Sequence, residues 1–238
     1  MTQLHPIACE HEGVRLKGLA AIPQGQGPFP AVLVMHSALG IGHMVQEIAQ
    51  RLAALGYLAV ATDMYGEQAD LSAPEKAGEH YMALLQTPER LRARTALWLD
   101  TAAARADVDA ARIAAIGYCF GGKCVMELAR SGRDVKAAVS YHGLLTTHAP
   151  ARPGDIKGEV VAWCGALDPF GPPDESVAFR QEMVAAGASW QITEWGNVAH
   201  GFTDPQAEGG MPGIEYDAIA DKVSWAGTVA LLGLVLGG

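Results

Sequence analysis

The apolar residues of this chain fall into two kinds of run, and the two kinds alternate. Short apolar runs occur at Ala31–Met35, Tyr57–Thr62, Ile113–Ile116 and Glu159–Cys164, and Val135–Tyr141 also reads as a strand. Runs of this length without a polar partner position read as strands buried on both faces, which is how central strands of a parallel sheet are written. Ser189–Glu194 reads as a further strand. Between them the apolar positions recur at helical spacing. In His43–Leu55 they are Met44, Ile48, Leu52 and Leu55, with Gly56 placed to cap the end. Pro88–Arg105 reads as a helix with proline in its first turn. Lys123–Arg130, Asp174–Ala186 and Tyr216–Leu236 read as helices too, the last with a break expected near Gly227.

Cys9–Ile22 reads as two short strands around His11-Glu12-Gly13, an edge hairpin, and Pro23–Pro30 as a Gly/Pro loop. Met64–Thr87 is long and irregular, the kind of connection that serves as a functional cap. The alternation of strand and helix predicts an α/β fold. It has a mostly parallel central sheet, helices on both faces and a single domain over 1–238.

Composition narrows the function classes. With 50% hydrophobic residues the chain can bury a substantial core. A formal net charge of −9 and the lack of any basic run argue against a nucleic-acid or anionic-membrane partner. The four cysteines, Cys9, Cys119, Cys124 and Cys164, show no C-x-x-C spacing, and no histidine pair stands at zinc-finger spacing. A structural metal site is therefore not expected, and the chemistry read below implies no metal or organic cofactor. Met1–Ala8 has neither the basic nor the apolar region of a signal peptide, and unpaired thiols fit a reducing cytoplasm. Ala226–Leu236 is apolar but too short to span a bilayer, and reads as the buried end of a last helix. A small-molecule partner and a monomer or small homo-oligomer are expected.

One stretch carries chemistry. Gly117-Tyr118-Cys119-Phe120-Gly121 joins a buried strand to a helix and has the G-x-nucleophile-x-G pattern with cysteine in the centre. Glycines let backbone approach closely at such a sharp turn, and the central side chain is thrust above the sheet. The Phe120 N–H would point at the reacting centre, and the helix N-terminus favours a thiolate and a developing oxyanion. Asp168 follows one strand and His200 another, both at the sheet edge that holds the elbow. The order nucleophile, acid, histidine is that of α/β-hydrolases. Spacing alone leaves His36, His142 and His148 as competitors for the base. His36 and His142 end strands and are read as pocket-lining or structural. His5, His11, His43, His80 and His148 are read as solvated, Cys124 and Cys164 as core, and Tyr141, Trp163, Trp190 and Trp195 as core before pocket.

These motifs resemble the dienelactone hydrolase family of α/β-hydrolases. Gly117-Tyr-Cys-Phe-Gly-Gly122 is similar to the family's cysteine elbow, Gly165-Ala-Leu-Asp-Pro169 to its acid loop and Ala199-His-Gly-Phe202 to its histidine loop. Gly56–Tyr65 resembles the strand after the first helix, and Gly213–Tyr216 and Ala220–Trp225 the tail of a broad subgroup. The resemblance runs from about Pro28 to about Trp225 and implies a triad of Cys119, Asp168 and His200. It also implies an oxyanion hole from the Phe120 and Ala38 amides. Candidate pocket residues are His36, Ser37, Tyr65, His142 and Phe202. The best-known members carry a glutamate where Ser37 stands, an arginine where Asp204 stands, and another arginine in the region of Ser72–His80, where this chain has none. A site without those arginines disfavours a substrate carboxylate. The expected activity is cleavage of small esters or lactones through a cysteine thioester. The alternatives are a thioesterase or acyl transferase with the same triad, and a thiol-reactive binding or redox module without turnover.

Overall fold

A computed structural model describes residues 2–207 and 212–237. Eight strands form one sheet in the order β1-β2-β4-β3-β5-β6-β7-β8. They are β1 (Leu4–His11), β2 (Val14–Ala21), β3 (Phe29–Met35), β4 (Leu58–Thr62), β5 (Val108–Tyr118), β6 (Ala137–Tyr141), β7 (Glu159–Gly165) and β8 (Ser189–Trp195). β1 and β2 are antiparallel to each other, as are β2 and β4, and all other pairs are parallel. Six helices cover the sheet: α1 (His43–Ala54), α2 (Pro74–Leu85), α3 (Pro88–Ala103), α4 (Phe120–Arg130), α5 (Pro173–Ala186) and α6 (Ala218–Leu236).

The unbroken apolar runs follow from burial on both faces. In β3, Ala31, Leu33 and Met35 pack with α3 and α4, while Val32 and Val34 pack with α1 and α6. The period of two is still there, but neither side needs a polar residue. The sheet thereby delivers the C-terminal ends of β3, β5, β6, β7 and β8 to one edge, where open parallel sheets place their sites.

Several elements differ from the reading of the sequence. Met64–Thr87 contains a regular helix, α2, with Pro74 in its first turn; its apolar face is narrow, with only Ala77 and Leu84 buried, so its periodicity is faint. α4 starts at Phe120, three residues earlier than the polar Lys123 suggests, and all of its residues are buried, the charged ones included. α6 runs unbroken through Gly227. Nor is its end simply buried: Ala220, Ser224, Thr228, Leu232 and Leu236 form one covered stripe, while Ile219, Val223 and Leu234 are exposed. At nineteen residues, that helix is long and apolar enough by composition to cross a membrane.

Candidate active site

The elbow is set by glycines that nothing else can replace. Cys119 has φ 54° and ψ −114°, a conformation that side chains rarely adopt. A Cβ on Gly117 would sit 2.0 Å from the Gly121 carbonyl oxygen, and one on Gly121 would sit 2.0 Å from that of Met35. On Gly122 it would meet the Ser140 hydroxyl at 2.4 Å and the Gly143 Cα at 2.7 Å. The turn is thus wedged between the ends of β3 and β6, and the Cys119 N–H is tied to the Tyr141 carbonyl at 2.9 Å.

Asp168 and His200 meet at the same edge. Leu167 N–H donates to the Val198 carbonyl at 3.0 Å and Ala166 N–H to that of Trp195 at 2.9 Å, which locks the acid loop to the histidine loop. His200 is fixed in turn by its N–H to the Gly213 carbonyl and by the Glu215 N–H to its own carbonyl, both 3.0 Å. His200 Nδ1 lies 2.7 Å from Asp168 Oδ2, and Asp168 Oδ1 accepts the Phe170 N–H at 2.8 Å. Burial alone would lower the His200 pKa; the hydrogen bond to Asp168 and the Cys119 thiol outweigh it and bring it up to about 9. Cys119, Asp168 and His200 therefore form one connected group.

The loop after β3 faces the elbow. Among the described residues, neither the Phe120 nor the Ala38 N–H meets a protein acceptor. The Ala38 carbonyl is held from behind by the Tyr65 hydroxyl at 2.9 Å, and the Tyr65 ring stacks on Phe120 at 5.6 Å. The Ser37 hydroxyl accepts the Leu39 N–H at 3.3 Å, an internal tie of the loop. His36 is fully buried. Its Nδ1–H donates to the Ser37 carbonyl at 2.5 Å and its Nε2 accepts the Met64 N–H at 3.0 Å. Both ring nitrogens are spent on backbone, so His36 joins the β3 and β4 ends and lines no pocket. Burial lowers its pKa, consistent with that neutral tautomer.

Two other pocket candidates are also corrected. Phe202 is fully buried, packed edge-on against His142 at 5.0 Å and Trp195 at 5.5 Å. It supports the histidine loop from the core side. His142 is 5% exposed, has a left-handed backbone with φ 40° and meets Thr203 Oγ1 at 2.9 Å. Its ring lies edge-to-face with His200 at 4.8 Å. Desolvation and then the His200 charge hold its pKa well below the ordinary value. A neutral ring under the imidazolium of His200 is a positioning contact. His11 and His80 are half-buried, not solvated, His80 against Tyr65, whereas His148 is exposed.

Three residues at the site carry no signal in the sequence. Phe170 closes over His200 edge-on at 4.9 Å and is 46% exposed. Tyr81 comes from α2, meets Phe120 at 5.4 Å, and has its pKa raised to about 12 by burial and then by Cys119. Glu175 is buried at the start of α5, accepts the Thr146 N–H at 2.8 Å, and has its pKa raised by burial. Beneath the elbow, fully buried Glu127 binds Lys123 at 3.0 Å, Arg130 at 3.1 Å and Arg92 at 2.5 Å. Burial alone would raise its pKa, but the three cations bring it down to about 2.

The model of the dienelactone hydrolase family matches residues 16–236. The chain belongs to the dienelactone hydrolase family. A solved structure named m3DLH is 34% identical, covers 99% of both chains and superposes with a TM-score of 0.91. A dienelactone hydrolase-like promiscuous phosphotriesterase from metagenomic libraries is 33% identical over 99% of both chains, with a TM-score of 0.88. A Yersinia pestis protein named "Putative carboxymethylenebutenolidase" is 29% identical over 84% of this chain and 80% of its own length.

This dienelactone hydrolase family member has the α/β-hydrolase fold and is a hydrolase of ester or lactone bonds. The Ser37 hydroxyl is turned to its own loop, and Asp204 accepts the Gln206 N–H at 2.9 Å.

Proposed function

We propose that this enzyme hydrolyses small, uncharged esters and lactones through a thioester on Cys119. The observation that carries the reading is the His200–Asp168 hydrogen bond of 2.7 Å on an imidazole that also faces Cys119. Cys119 Sγ attacks the carbonyl carbon as a thiolate, with its proton on His200. The Phe120 and Ala38 amides hold the oxyanion, a term that removal of one donor typically reduces by about a hundred-fold or more in rate. The tetrahedral adduct expels the alcohol, which takes the proton from His200 Nε2, leaving a thioester and a neutral imidazole. Water then gives a proton back to His200, attacks the thioester, and releases the acid and the Cys119 thiolate. Asp168 keeps the ring in the tautomer that both steps need.

The substrate class follows from what lines the entrance. Leu39, Leu167 and Phe170 are exposed at the loops that carry the oxyanion donors and the acid. Asp204 replaces an arginine that would attract a carboxylate. Uncharged groups are favoured at such a surface. The phosphotriesterase name of one structural neighbour adds neutral phosphotriesters as a second class, since a triester also lacks charge. A cytoplasmic location is part of the proposal, supported by the unpaired thiols.

The test is turnover of p-nitrophenyl acetate, a neutral phosphotriester and an anionic lactone by wild type, by Cys119→Ala and by iodoacetamide-treated enzyme. Turnover of neutral substrates that both modifications abolish supports the reading. Turnover surviving in Cys119→Ala overturns the nucleophile, and preference for the anionic lactone overturns the substrate class. A burst with no turnover favours the acyl-transferase alternative.

A further inference from the structure

Tyr65 has a second side. It forms part of the wall of a cavity of about 150 Å³ between α2 and α3, lined also by His80, Leu84, Thr87, Arg90 and Arg94. Cys119, Asp168 and His200 are not among its lining. At roughly 30 Å³ per water molecule, that space suits one phosphate or a short carboxylate and nothing much larger.

Arg94 gives the cavity its character. It is 5% exposed. Its Nη1 donates to the Met64 and Tyr65 carbonyls. Its Nε is buried without an acceptor, and among the described residues its Nη2 makes no hydrogen bond either. The idle edge, Nε with Nη2, is the one that grips a carboxylate or phosphate by two parallel hydrogen bonds. Desolvation and then the charge of Arg90 lower the Arg94 pKa. The nearby carboxylates are already engaged: Glu12 with Arg90 Nε at 2.8 Å, and Asp63 with the Lys17, Tyr65 and Gly66 amides. A buried guanidinium with an unpaired nitrogen is costly.

We propose that this cavity binds a small oxyanion, a carboxylate or phosphate group held by the Nε–Nη2 edge of Arg94 with Arg90 completing the positive lining. The bound group abuts Tyr65, whose hydroxyl holds the Ala38 carbonyl, so occupancy is felt at the oxyanion loop. The site is independent of the nucleophile.

Calorimetry and thermal melting with inorganic phosphate or acetate, against chloride at matched ionic strength, test this. The chains compared are wild type, Cys119→Ala, Arg94→Lys, Arg94→Met and Ala83→Trp. Ala83 is exposed on α2 and lines the cavity, so a tryptophan there is chosen to block the space while Arg94 itself is unchanged. The expected result is saturable binding to wild type and equally to Cys119→Ala. Binding weakens about ten-fold or more in Arg94→Lys, which loses the fork, and vanishes in Arg94→Met and Ala83→Trp. Phosphate binding with inert acetate assigns a phosphoryl ligand, and the reverse a carboxylate. No saturable binding of either anion well above millimolar concentration overturns the proposal. So does binding that survives in Ala83→Trp, which decides the matter even if Arg94→Met fails to fold. Loss of activity in Cys119→Ala with binding intact separates this site from the catalytic one.

Discussion

Replacing Asp168 with asparagine isolates the electrostatics of the site. The side chain keeps its shape and its place beside His200 Nδ1 but loses its charge. In wild type the His200 pKa rises from 6.5 to about 9 although burial opposes it. At about 1.4 kcal/mol per unit, that rise corresponds to about 3 kcal/mol favouring the imidazolium. The sign follows from the direction of the shift. A pKa raised on folding contributes stability that is complete below 6.5 and is lost as pH climbs through about 9. Histidine Cε1–H resonances followed by NMR, together with urea unfolding at several pH values, read both quantities. Cys119 also contributes to the rise at His200, so the same pair of experiments on Cys119→Ala separates its share from that of Asp168. Asp168→Asn is expected to lower the titration midpoint by more than about one unit and to flatten the alkaline loss of stability. A midpoint that Asp168→Asn leaves unchanged, or a wild-type midpoint at or below the free-histidine range, would refute the reasoning.

Other expectations rest on other contacts. Gly121→Ala drives a Cβ to 2.0 Å from the Met35 carbonyl oxygen, and the backbone at the end of β3 cannot give way cheaply. Urea unfolding should show a loss of about 3 kcal/mol or more, and a variant within the error of wild type would mean the elbow is not wedged. Glu127→Gln leaves Arg92, Lys123 and Arg130 around a neutral group, and breaking such a buried set should cost about 3–5 kcal/mol by the same assay. Tyr65→Phe frees the Ala38 carbonyl, a bond worth about 1 kcal/mol; kcat on p-nitrophenyl acetate should fall several-fold with KM little changed, whereas a change in KM alone would place Tyr65 in ground-state binding.

Much of this architecture is legible in the residues because burial on both faces writes an unambiguous strand. β3, β4 and β7 stand within two residues of where their apolar runs predict them. Elements fail to show where burial and polarity part company. α4 is wholly buried yet carries Lys123, Glu127 and Arg130, because those charges satisfy one another and the carbonyls of Leu145 and Thr146. A reading by polarity puts such residues on a surface. α2 hides for the opposite reason, resting on the body through few apolar positions. Cys119, Asp168 and His200 each follow a strand of a parallel sheet, which is what places all three at one sheet edge. Which histidine faces outward is not so encoded. His36, His142 and Phe202 end strands or follow the motif as pocket residues would, but their neighbours bury them. Tyr81, Phe170 and Glu175 reach the site from a helix, a loop and a helix start that no spacing rule connects to the elbow.

The central claim is a covalent intermediate on Cys119. Wild type mixed with p-nitrophenyl acetate, quenched in acid within the first turnovers and digested, should yield the peptide containing Cys119 with one acetyl group, removable by neutral hydroxylamine. Asp168→Asn and His200→Asn should carry less of it. An acetyl group on any other residue, or rapid turnover in which Cys119 is never acylated, would contradict the account.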